Sequence, residues 1–104
     1  MSDASTDVVT KTKLDLDLTE PSMYKVIYIN DSQTSMQFVV ESLVDYFGHG
    51  ELSAKKITED IHIEGSAIVA VLPYEIAEQK GIEVTVDARS QGYPLQIKLK
   101  EHTH

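Results

Sequence analysis

The chain has 104 residues and no cysteine, and its 17 Asp+Glu against 9 Lys+Arg give a formal net charge of −8. That length suits one domain with its own core, while the missing cysteines exclude disulfides and thiolate zinc sites. The acidic balance argues against nonspecific nucleic-acid binding and against docking on anionic lipid, and no apolar run nears the ~20 residues of a membrane helix.

The opening residues lack the basic and apolar stretches of a secretory signal, so a cytoplasmic or plastid-stromal setting is expected. Residues 1–22 are acidic and rich in Thr and Ser, with Val8, Val9, Leu14, Leu16 and Leu18 as their large apolar side chains. They read as a flexible arm, although the Leu-Asp alternation over 14–18 has the period of a strand. The domain is expected over 23–104. Residues 24–29, Tyr-Lys-Val-Ile-Tyr-Ile, read as a strand. Asn30-Asp31-Ser32-Gln33 is turn chemistry. Thr34 and Gln37 have capping-box spacing. Met36, Val39, Val40, Leu43, Val44 and Phe47 then form one apolar helical stripe that ends at Gly48. A second helix is predicted from Ser53 to about Ile63, closed by Gly65. The apolar run over 67–72 reads as a central strand covered on both faces. Residues 74–80 favour helix, whereas Ile82, Val84 and Val86 alternate as in a strand, which leaves two readings open. Residues 95–100 alternate as a last strand with one solvated face.

Few residues suggest chemistry. There is no nucleophile elbow, P-loop or dinucleotide fingerprint. His49, His102 and His104 read as solvated, so no metal or cofactor is expected, and Glu59, Asp60 and Glu64 read as surface charge. A small hydrolase built on His62 with Asp31 or Glu59 would lack a paired nucleophile. Two places stand out: Asn30-Asp31 between a strand and a helix, and His62 near the end of a helix on the side of Thr58 and Ile61.

At these places the sequence resembles the ClpS family, adaptors that deliver N-degron substrates to AAA+ Clp proteases under the N-end rule. Asn30-Asp31, Thr34, Met36 and Phe38-Val39 follow its N-D-x-x-T-x-M-x-F-V signature. His62, Gly65 and Ala67 follow V-H-x-x-G-x-A. Glu75, Ala77, Glu78 and Lys80 follow E-x-A-E-x-K, and Pro94-Leu95 its late P-L. The likeness runs from Pro21 to about Leu99.

The resemblance implies an α+β fold, a three-stranded antiparallel sheet packed against three helices, with one long helix from about residue 74 to 90. It implies a non-enzymatic, monomeric adaptor that binds proteins beginning with Leu, Phe, Tyr or Trp. Asn30, Asp31 and His62 would recognise the α-amino group. Thr34, Met36, Val39, Leu43, Thr58, Ile61 and Leu95 would form the side-chain pocket. Glu75 and Lys80 would dock on the N-terminal domain of a Clp unfoldase, with residues 1–22 aiding hand-off. The chemistry fits, because an ammonium offers three donors and a charge to an amide oxygen, a neutral imidazole and a carboxylate. The alternative is a regulatory module that docks on the unfoldase without binding N-degrons. Ser32 stands where a second Asp is common, Ser35 where Pro is common, and Thr58 where a gating Met is common. Thr58 is therefore expected to widen the rim or make it more polar.

Overall fold

The apolar and aromatic run after Ser22 forms the middle strand of the sheet. The structure, a computed structural model, describes residues 22–103. The arm expected over 1–22 therefore lies outside the described residues except for Ser22, as does His104. In chain order the elements are β1 (Met23–Ile29), α1 (Met36–Phe47), α2 (Glu51–Glu64), β2 (Ser66–Pro73), α3 (Tyr74–Ser90) and β3 (Gln96–Glu101). The strands form one antiparallel sheet in the order β2-β1-β3, and the α+β architecture matches the expected one.

Period-two alternation gives β1 its two faces. Val26 and Tyr28 are fully buried towards the helices, while Lys25, Ile27 and Ile29 lie on the other face. The Tyr28 hydroxyl lies 2.8 Å from the Ser42 hydroxyl, which itself donates to the Val39 carbonyl. Tyr28 is therefore the donor, and its polar end is satisfied inside the core. Burial pushes the Tyr28 phenol far above its ordinary range, outweighing the Ser42 bond.

Three local expectations are corrected. The run over 67–72 is not a central strand: among the described residues β2 pairs with β1 alone, and its Ile68 and Val71 stay exposed. Continuous apolarity marks a buried strand only where both faces are covered, and here only one is. The cap of α1 is Ser35, whose Oγ accepts from the Phe38 N–H at 3.0 Å. Thr34 cannot cap because its hydroxyl is turned back to Asp31, and the Gln37 amide donates to Glu41. His49 is not simply solvated: its Nε2 lies 2.7 Å from the Val69 carbonyl and donates to β2.

Over residues 74–90 the open choice resolves to a single helix of 17 residues. Ala77, Val84 and Ala88 fall on one face and are fully buried, while Ile82 and Val86 point to solvent. Alternation over 82–86 coincides with a helical stripe that contains only Val84.

Candidate functional site

The site forms where β1 ends against the end of α2. The Asn30 N–H donates to the Gly65 carbonyl at 2.9 Å. Gly65 ends α2 in the left-handed region, at φ 93°, and its N–H returns to the Ile61 carbonyl at 2.9 Å. A side chain there would strain the backbone. The turn sends the chain directly into β2, where Ser66 pairs with Ile29. His62, in the last turn of α2, is thereby carried beside Asn30.

Asp31 builds the next segment. Its Oδ1 accepts from the backbone N–H groups of Gln33 at 2.8 Å and Thr34 at 2.7 Å, and its Oδ2 accepts from the Thr34 hydroxyl at 2.7 Å. Desolvation raises the carboxyl, but these bonds and the nearby charge of Arg89 outweigh it and hold Asp31 below the usual carboxylate range. Asp31 thus shapes the turn and keeps a negative charge in it. Arg89 has a second task. Its Nη1 donates to the Tyr93 and Leu95 carbonyls, both at 2.9 Å, and fixes the loop that brings Leu95 inward.

These elements enclose a hollow lined by Ile29, Asn30, Asp31, Thr34, Met36, Val39, Thr58, Ile61, His62 and Leu95. Val39, Thr58, Ile61 and Leu95 are buried, Asn30 and His62 are exposed, and Met36 is 49% exposed. The hollow therefore has a largely apolar floor and a polar mouth. Among the described residues, neither the Asn30 carboxamide nor the His62 imidazole has a hydrogen-bond partner. The cavity volume is only about 20 Å³, against roughly 150 Å³ for an apolar cavity that admits benzene. A large side chain enters only if the walls move, and the exposed, unbranched Met36 is suited to that.

Nine of the ten residues expected at the amine and side-chain sites meet here; Leu43 does not. It is fully buried in the core, one turn beyond Val39 on α1. Thr58 also departs from expectation. It is 4% exposed, and its hydroxyl donates to the Ala54 carbonyl at 2.7 Å. Its polarity is spent on its own helix, so it belongs to the floor and does not give a more polar rim. Ile29 and Arg89 had no distinguishing sequence signal. Ile29 was one of several strand residues, and Arg89 acts through carbonyls of a loop.

Glu75 and Lys80 both lie on α3, at its first turn and one and a half turns on. Five positions turn a helix by about 500°, which leaves them roughly 140° apart on its surface. Asp60 pairs with Lys56 at 3.1 Å on the exposed side of α2.

The profile of the family described as "ATP-dependent Clp protease adaptor protein ClpS" matches residues 19–98. An ATP-dependent Clp protease adapter protein ClpS from Clostridium acetobutylicum is 45% identical over 82 residues, 79% of this chain and 81% of its own. One from Shewanella denitrificans is 41% identical over 92 residues, 88% and 90% of the two chains. Among solved structures, Agrobacterium tumefaciens ClpS2 bound to L-phenylalaninamide superimposes with a TM-score of 0.77 at 32% identity, over 80% of this chain and 100% of that one.

Proposed function

Because the chain belongs to the ClpS family of Clp protease adaptors, we propose that it binds proteins bearing an N-terminal Leu, Phe, Tyr or Trp and delivers them to a Clp AAA+ unfoldase. One observation carries this reading. Asn30, Asp31 and His62 converge at the mouth of a hollow floored by Val39, Ile61 and Leu95. The mouth offers an amide oxygen, a carboxylate and an imidazole nitrogen to an ammonium; the floor offers a dry surface to the side chain next to it. L-phenylalaninamide, held by the Agrobacterium relative, presents both groups: a free α-amine and a benzyl side chain.

The magnitudes require both halves. Burying a Leu or Phe side chain contributes roughly 1.5–3 kcal/mol, and each charge-assisted hydrogen bond roughly 1.5–3 kcal/mol. Association costs at least ~4 kcal/mol. Neither half alone leaves a useful surplus, so the hollow selects a free chain end bearing an apolar residue. An internal Leu lacks the amine, and an N-terminal Lys or Glu brings a charge onto an apolar floor. In this reading Glu75 and Lys80 help α3 dock on the unfoldase, and residues 1–22 assist hand-off. The task is recognition, with no bond made or broken by this chain.

One observation favours a second reading. The narrowness of the hollow suits a module that docks on the unfoldase and redirects it without holding N-degrons. Degradation of a Phe-starting reporter by a purified Clp unfoldase–peptidase separates the two. Adding this protein is expected to accelerate loss of that reporter and not of an otherwise identical Glu-starting one. Slowing both reporters equally would favour the regulatory module.

A further inference from the structure

Away from the hollow, an apolar groove of about 260 Å³ runs between α3 and β3. Gly81, Ile82, Thr85 and Val86 form its helical wall, and Ile97 and Leu99 its sheet wall. Ile82 is 57% and Val86 62% exposed. Gly81 keeps the groove open; a Cβ there would stand 3.7 Å from Cγ2 of Ile97 and fill part of it.

The groove borders a strand edge that is unpaired among the described residues. In the order β2-β1-β3, β3 has one neighbour among them. Its pairing with β1 runs unbroken from Tyr24↔Glu101 to Ile29↔Gln96, whereas the β1–β2 register shifts between Val26 and Ile27. The His102 N–H donates to the Met23 carbonyl at 2.8 Å. By the alternation of an antiparallel ladder, Gln96, Lys98 and Lys100 then also face β1 with their backbone groups, and those of Ile97, Leu99 and Glu101 point outward. A regular open edge is a template for another strand. On the sheet face away from α3, this edge presents the exposed side chains of Lys98 and Lys100.

Residues 14–18 of the same chain, Leu-Asp-Leu-Asp-Leu, complement both features. In a strand, Leu14, Leu16 and Leu18 point to one side and Asp15 and Asp17 to the other. The three leucines span about 13 Å, and the groove's helical wall from Glu78 to Val86 about 12 Å. The five peptide steps from Leu18 to Met23 reach up to about 17 Å. Met23 sits beside His102 at the far end of β3, and the outer edge lies two strand spacings, about 10 Å, from β1. We propose that residues 14–18 add to the outer edge of β3 as a fourth strand, leucines in the groove and aspartates beside Lys98 and Lys100. The short link makes this strand antiparallel to β1 and parallel to β3. Edge lysines ordinarily discourage pairing; against an acidic strand they select it. The inference is independent of the N-degron reading.

Amide hydrogen exchange on the full chain tests it. The Ile97 and Leu99 amides are expected to exchange at least about tenfold faster in a Leu14→Ser/Leu16→Ser/Leu18→Ser variant than in the native chain. The amides of Lys98 and Lys100, bonded to β1, should be unchanged and serve as the control for an intact sheet. Lys98→Glu/Lys100→Glu should release the outward amides in the same way. Equal exchange in the native chain and the leucine variant overturns the proposal. So does protection that rises with protein concentration, which assigns the edge to a second copy.

Discussion

Replacing His62 by alanine is expected to lower the affinity for a Phe-starting peptide by about tenfold or more and to leave thermal unfolding nearly unchanged. The same is expected of Asn30→Ala. Both side chains lie exposed at the mouth of the hollow without a partner among the described residues, so removing them costs the fold little. In the proposed reading each accepts a bond from the ammonium, and losing one charge-assisted bond costs roughly 1.5–3 kcal/mol, about ten- to hundredfold. Isothermal titration with melting curves on the same samples separates loss of binding from loss of fold.

Asp31 gives the second large effect, and two substitutions divide its roles. Asp31→Ala removes the acceptor of three hydrogen bonds. The turn before α1 should loosen at about 1–2 kcal/mol, the scale of a lost carboxylate cap, and binding should fall at least about tenfold because the negative charge goes and Thr34 loses its anchor. Asp31→Asn keeps an oxygen for the Gln33 and Thr34 N–H groups but removes the charge. It should keep most of the stability and still bind several-fold more weakly, with less sensitivity to salt. The sign of the pH effect follows from the lowered carboxyl. Asp31 stabilises the fold above its unfolded value of ~3.9, and that contribution is lost as pH falls through the still lower folded value.

Patterns with one physical cause were legible in the sequence. The β1 strand, the β3 alternation and the Gly65 stop each follow from local geometry, and each holds; the α1 stripe holds in part, since Val39 and Leu43 are buried while Met36 and Val44 stay exposed and Phe38 and Ser42 turn inward. Depth was not legible. Val39 and Leu43 share a stripe, yet one faces the hollow and the other the core; a helical period gives direction around an axis and not distance from the surface. For α3 the local signal was degenerate, since Ile82, Val84 and Val86 fit a strand as well as a helix, and the family resemblance pointed to the helix that forms. Placing β2 at the sheet's edge depends on strand order, which no run of residues encodes. Asn30 and His62 are distant in sequence, and the backbone bond from Asn30 to Gly65 is what unites them.

The central claim is that one hollow reads a free amine and its apolar neighbour together. Affinities for a Phe-starting peptide and its Nα-acetylated twin, measured side by side on the native protein, test it most directly. Acetylation removes the charge and at least two bonds, so binding should weaken by about a hundredfold or more. Equal affinity for the two peptides would contradict the account.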